Sequence, residues 1–126
     1  MSISLAEPQA IGLLSAMSGA EMDTLPFGVV AMSSDGVVVA YNRAESDLSR
    51  LTSARVVGRH FFRDVAPCTN NFMIARRFET EAELDATLDY VFTLRMAPTP
   101  VRLRMLRSAT APLMYLLVER RRPGGS

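Results

Sequence analysis

The 126-residue chain has no tryptophan, one cysteine and one histidine. Each scarcity closes off a class of function. A single cysteine forms no intramolecular disulfide and no cysteine-rich metal site, which matches a reducing cytoplasm. A single histidine makes neither a metal cluster nor a charge-relay triad. No apolar run approaches the ~20 residues that cross a bilayer. The N-terminal Met1-Ser-Ile-Ser-Leu-Ala-Glu lacks a basic n-region, so it is a poor secretory signal. Net charge is only +1, and the signs are interleaved, with no basic stripe for nucleic acid. There is no glycine-rich phosphate loop, no outstanding carboxylate pair and no cysteine–histidine constellation, so nothing points to an enzyme.

What is present is an ordinary globular balance, 48% hydrophobic and 21% charged, enough for one core. Residues 1–24 read as an N-terminal cap, with Ile11, Leu13, Leu14 and Met17 on one helical face and Gly12 and Gly19 limiting it. Phe27–Met32 and Val37–Asn42 are β-rich runs around Ser33-Ser-Asp35-Gly36, the signature of a hairpin. Short helical turns are expected over Arg43–Thr52 and Ser53–Gly58, and a helix over Asn70–Leu84 with Phe72, Ile74 and Phe78 inward. Thr87–Met96 alternates, with Leu88, Tyr90, Phe92, Leu94 and Met96 on one face. Ala97-Pro98-Thr99-Pro100 is a break that cannot continue a central ladder. Val101, Leu103 and Met105 then face opposite to Arg102 and Arg104, and Leu113–Glu119 is the last strand. Two strands, helical pieces and three strands make an α+β fold: a five-stranded antiparallel sheet with helices grouped over one face and an apolar pocket near the middle. The expected domain runs over residues 25–120, with a flexible tail at 121–126.

Cys68 leaves three roles open: a small buried hydrophobe, a nucleophile or an attachment point. Taken alone, the first is the commonest. Glu45 alone is a solvated helix residue beside Arg43 or Arg50. Tyr41 alone is a buried ring whose hydroxyl Ser49 satisfies. His60 reads as a surface residue and Asp64 as a turn former.

Four segments change those weights: Leu25-Pro-Phe-Gly, Tyr41-Asn42-Arg-Ala-Glu45-Ser-Asp47, Val57-Gly58-Arg-His-Phe61-Phe62-Arg-Asp64-Val65-Ala66-Pro67-Cys68-Thr69, and Met96-Ala-Pro98-Thr99. From Leu25 to Glu119 the chain resembles the photoactive yellow proteins, blue-light receptors of the PAS family. The resemblance implies a PAS fold and 4-hydroxycinnamic acid (p-coumaric acid) carried as a thioester on Cys68. It implies that Tyr41 and a protonated Glu45 hold the phenolate, Ser49 supports the tyrosine, and Phe92 and Met96 line the chromophore. Light would isomerise the chromophore, Glu45 would give up its proton, and a partly unfolded signalling state would reach a downstream protein. No nucleic acid or membrane is implied, and the expected protein is cytoplasmic, a monomer or weak homodimer.

The chemistry fits the residue types. A buried phenolate needs donors. Tyr41 and Glu45 are four residues apart, so one helical turn brings them to one spot. Desolvation keeps a carboxyl neutral. The chain also departs from the pattern: Leu51 stands where an arginine covers the ring, Leu94 where a tyrosine approaches it, and Tyr115 where the last strand has tryptophan. The alternative is a chromophore-free PAS module that binds an apolar ligand or a partner protein.

Overall fold

The computed structural model describes residues 3–93 and 98–121. Five antiparallel strands form one sheet: β1 (Gly28–Met32), β2 (Val38–Tyr41), β3 (Leu84–Phe92), β4 (Thr99–Arg107) and β5 (Met114–Arg120). Their order is β2-β1-β5-β4-β3, so the chain's last strand is the central one. The β1–β2 hairpin turns at Gly36, where φ is 84° and glycine carries no Cβ to clash. A register shift at Ala31/Met32 marks an irregularity in that ladder.

Between the hairpin and β3 lie α3 (Arg43–Ser49), α4 (Ser53–Val56), one π-turn (Phe61–Val65), one 3-10 turn (Pro67–Thr69) and α5 (Ala75–Thr80). They cover one sheet face. Val30, Met32, Val101, Leu103, Met105, Met114, Leu116 and Val118 supply the sheet side of that cluster, and Phe61, Phe62, Ile74 and Phe78 help close it. Before the hairpin, α1 (Ala10–Ala16) and α2 (Gly19–Met22) lie on the opposite face. Ile3, Leu5, Leu14, Met22 and Leu25 bury Val29, Ala31, Leu106, Tyr115 and Leu117 there. Ser18 and Glu21 form a capping box at the start of α2. Gly19 therefore opens this second helix rather than ending the first.

Several expectations shift. The helix expected over Asn70–Leu84 is only Ala75–Thr80, because the Asn71 side chain takes the backbone N–H groups of Met73 and Ile74 into a turn. Phe72, expected inward, is 79% exposed. β3 starts at Leu84, three residues early, and its alternation extends that far. β4 starts at Thr99, so Pro100 is inside the ladder, opposite Val91. It is tolerated near the strand end, where its carbonyl accepts from the Arg121 N–H.

Arg104 is the largest departure. Expected on a polar face, it is buried beneath the cap. Its guanidinium makes two 2.8 Å bonds to Asp85 and donates to the Leu5 and Glu7 carbonyls at 2.8 and 2.7 Å. His60 is half-buried rather than simply a surface residue: its Nδ1 accepts from the Arg63 N–H at the start of the π-turn. Asp64 closes the same turn by accepting from the His60 N–H.

Candidate functional site

The site begins where β2 hands over to α3. Asn42 ends the strand with extended backbone and serves as N-cap, its Oδ1 accepting from the Glu45 N–H at 3.1 Å. The same oxygen accepts from the Val29 N–H, and Nδ2 donates to the Met22 and Phe27 carbonyls. One buried amide thus ties α3 to β1 and to the N-terminal cap. Glu45 follows at the third helical position and Ser49 four residues later, so both face inward with Tyr41. The helix stops at Arg50, in the left-handed region at φ 65°.

Tyr41, Glu45 and Ser49 are all buried. The Tyr41 hydroxyl donates to Ser49 Oγ at 2.7 Å, and Ser49 Oγ also accepts from the Leu51 N–H. Ser49 carries a hydroxyl proton of its own, so reversing this bond would release the tyrosine proton toward another acceptor. Glu45 is enclosed completely, and burial pushes its carboxyl up to about 8, with the Tyr41 hydroxyl pulling it partly back. That direction favours the neutral carboxylic acid over the carboxylate at neutral pH. Its Oε1 has no hydrogen-bond partner among the described residues. Burial also raises the Tyr41 phenol, with the Glu45 charge as the next cause.

Cys68 sits in the 3-10 turn that follows the π-turn, half-buried against the cluster that contains Tyr41 and Phe92. That 3-10 turn is fixed from within: the Ala66 carbonyl accepts from both the Thr69 hydroxyl and its N–H. Phe92 is buried at the end of β3 and meets Tyr90 edge to face, with ring centroids 6.2 Å apart. Leu51 packs at the margin of the same cluster. The structure therefore joins Tyr41, Glu45 and Ser49 in one polar knot, with Phe92 in the same apolar cluster as Tyr41 and Cys68 packed against that cluster. Met96 and Leu94 lie outside the described residues.

Two residues of the site were not singled out from the sequence. The Tyr90 hydroxyl donates to the Cys68 carbonyl at 2.5 Å, and Asn71 Nδ2 donates to both Tyr90 and that carbonyl, at 2.7 and 3.2 Å. Tyr90 had a visible signal, since it shares the inward face of β3 with Phe92. Asn71 had only its turn-forming residue type.

Comparison with known proteins shows the family to which the chain belongs. Residues 22–108 match the family model for the PAS fold. The chain is 36% identical to a photoactive yellow protein of Rhodothalassium salexigens, over 82% of its own length and 86% of the relative's. The chain belongs to the photoactive yellow protein family. A second member, from Halochromatium salexigens, is 32% identical over 85% of this chain and 88% of its own. Among solved structures, the photoactive yellow protein domain of the sensor histidine kinase Ppr from Rhodospirillum centenum is 40% identical, with a TM-score of 0.79 over 86% of this chain and 98% of that one. No helix among the described residues is long and apolar enough to cross a membrane.

Proposed function

We propose that this protein is a blue-light receptor that carries a 4-hydroxycinnamoyl group as a thioester on Cys68. The observation that carries the reading is the buried Glu45: a neutral carboxylic acid with an oxygen that lacks a partner, beside a tyrosine hydroxyl, on the wall of an apolar cluster that also holds the only thiol. A phenolic oxygen accepts from both donors, so the residues present fit the group. Bound there, the group supplies a double bond that light isomerises and a phenolate oxygen that accepts a proton.

The chain's own part is positioning and proton holding. Tyr41, backed by Ser49, offers one donor, and Glu45 offers the other and keeps its proton while it is enclosed. Tyr90 and Asn71 fix the Cys68 carbonyl and with it the backbone from which the thiol projects. The apolar cluster excludes water. If Glu45 gives up its proton, a carboxylate is left in a site built for a neutral acid, at a cost of several kcal/mol. That cost falls on α3, whose N-cap Asn42 also holds the Met22 carbonyl of the N-terminal cap, so strain at Glu45 acts on both. The output is a conformational change read by a signalling partner.

The test is reconstitution with activated p-coumarate. Intact mass rises by one coumaroyl group, the protein turns yellow, and Cys68→Ala abolishes both. Glu45→Gln keeps the adduct but moves the band to longer wavelength, because an amide is a weaker donor than a carboxylic acid. No adduct and no visible band on wild-type protein would refute the reading and favour the chromophore-free PAS module.

A further inference from the structure

Gly28 is the inner-face residue of β1 directly beneath α3. Its backbone is ordinary strand: it pairs with Val118 on β5 and is not among the positive-φ glycines, which among the described residues are Gly36 and Gly58. Any side chain could adopt that conformation. A glycine inside a strand weakens it, because it restricts the unfolded chain least and packs nothing. What the position demands is space. An ideal Cβ placed on Gly28 falls 2.1 Å from Glu45 Oε1, 3.1 Å from Glu45 Cβ and 3.2 Å from Glu45 Cα. Only the first of these is impossible; the other two need a shift of a few tenths of an ångström. The oxygen in that notch is the one without a hydrogen-bond partner among the described residues. Its place is set by shape, not by a bond.

We propose that Gly28 is a positioning residue for Glu45: the side chain it lacks is the seat of the Glu45 carboxyl. This rests on the reading of Glu45 as the site's proton holder and deepens it. The identity of residue 28 decides whether the acid stays in the enclosed pose in which it remains neutral. An alanine there displaces the flexible end of the glutamate before it disturbs the backbone, so the fold survives while the acid loses its seat. Without the glutamate's carboxyl, the same alanine is rid of the impossible contact; of the three nearest atoms it then meets Glu45 Cβ and Cα, which need a shift of a few tenths of an ångström, and the stiffer unfolded strand offsets that cost, so the stability loss disappears.

Two measurements on the full chain without chromophore test this. The first is infrared titration of the protonated carboxyl, assigned by its loss in Glu45→Gln. In wild type it deprotonates near the raised value of about 8. In Gly28→Ala the midpoint falls by about one pH unit or more, as an acid pushed out of full enclosure regains solvation. The second is a double-mutant cycle in thermal melting. Gly28→Ala lowers the midpoint in the wild-type background and leaves it level or raises it in Glu45→Ala. A folded Gly28→Ala protein that titrates like wild type, or an equal melting loss in both backgrounds, overturns the proposal. If Gly28→Ala alone fails to fold, the double variant decides: folding supports the seat, and failure overturns it. Neither measurement uses the chromophore, so the absence of an adduct on Cys68 would fail the photoreceptor reading and leave this result separate.

Discussion

Arg104→Met isolates the fastening between the N-terminal cap and the sheet. The methionine keeps the apolar length of the stem under the cap but removes four bonds. Two go to Asp85, whose side chain is 56% exposed and rehydrates at little cost. The other two reach the Leu5 and Glu7 carbonyls. Hydrogen bonds from a charged donor contribute about 1.5–3 kcal/mol each, and carbonyls released by a lifting cap recover water. The two bonds sum to about 3–6 kcal/mol, and the water that the carbonyls regain brings the expected loss to about 2–4 kcal/mol, borne by the cap. At about 1.4 kcal/mol per factor of ten, the cap's opening equilibrium rises between about 30-fold and about 1,000-fold. Amide hydrogen exchange reads this directly: protection falls at α1, where the Leu13 N–H donates to Gln9, while β4 and β5 keep theirs. Unchanged exchange in α1 would refute the latch. An equal loss in the cap and in β5 would also refute it, since the cap would then not open as a unit.

Three further outcomes follow from the site. Glu45 binds its proton more tightly in the folded chain than in the unfolded one, so stability is highest below its unfolded value of 4.5 and falls as pH rises toward about 8; Glu45→Gln flattens that slope in pH-dependent melts. Tyr41→Phe removes the hydroxyl that lowers Glu45, so the infrared titration midpoint moves further up; a lower midpoint would place the tyrosine elsewhere. Asn42→Ala deletes a buried amide with four bonds and costs about 2–4 kcal/mol in denaturant unfolding; a loss under about 0.5 kcal/mol would show that water replaces it.

The polar knot was legible through the family resemblance, without which Glu45 reads as a solvated helix residue; its geometry is local. Tyr41, Glu45 and Ser49 are spaced by four, and Asn42 starts the helix, so one turn of α3 brings them together. Phe92 was legible for a similar reason, through strict alternation along β3. The Cys68–Tyr90–Asn71 arrangement joins residues about twenty positions apart across a loop, and no periodicity encodes that. Arg104 was misplaced because alternation says only which sheet face a residue meets, not what covers that face. Once the cap lies over it, the outer face is a second interior, and an arginine there needs partners rather than water. The helix beginning at Asn70 was overestimated because an apolar periodicity cannot register that Asn71 diverts two backbone donors into a turn.

β5 has no idle side. Leu116 and Val118 face the cluster of the chemical site, while Tyr115 and Leu117 face the cap, and the strand lies in the middle of the sheet. It is a party wall between two rooms of fixed total volume. A bulkier residue on one side is accommodated only by moving the backbone toward the other, so the two rooms do not evolve separately. A cap transplanted from another family member would bring its own demands on that wall, and its first symptom would appear across the sheet, in the packing of the cluster that holds Tyr41.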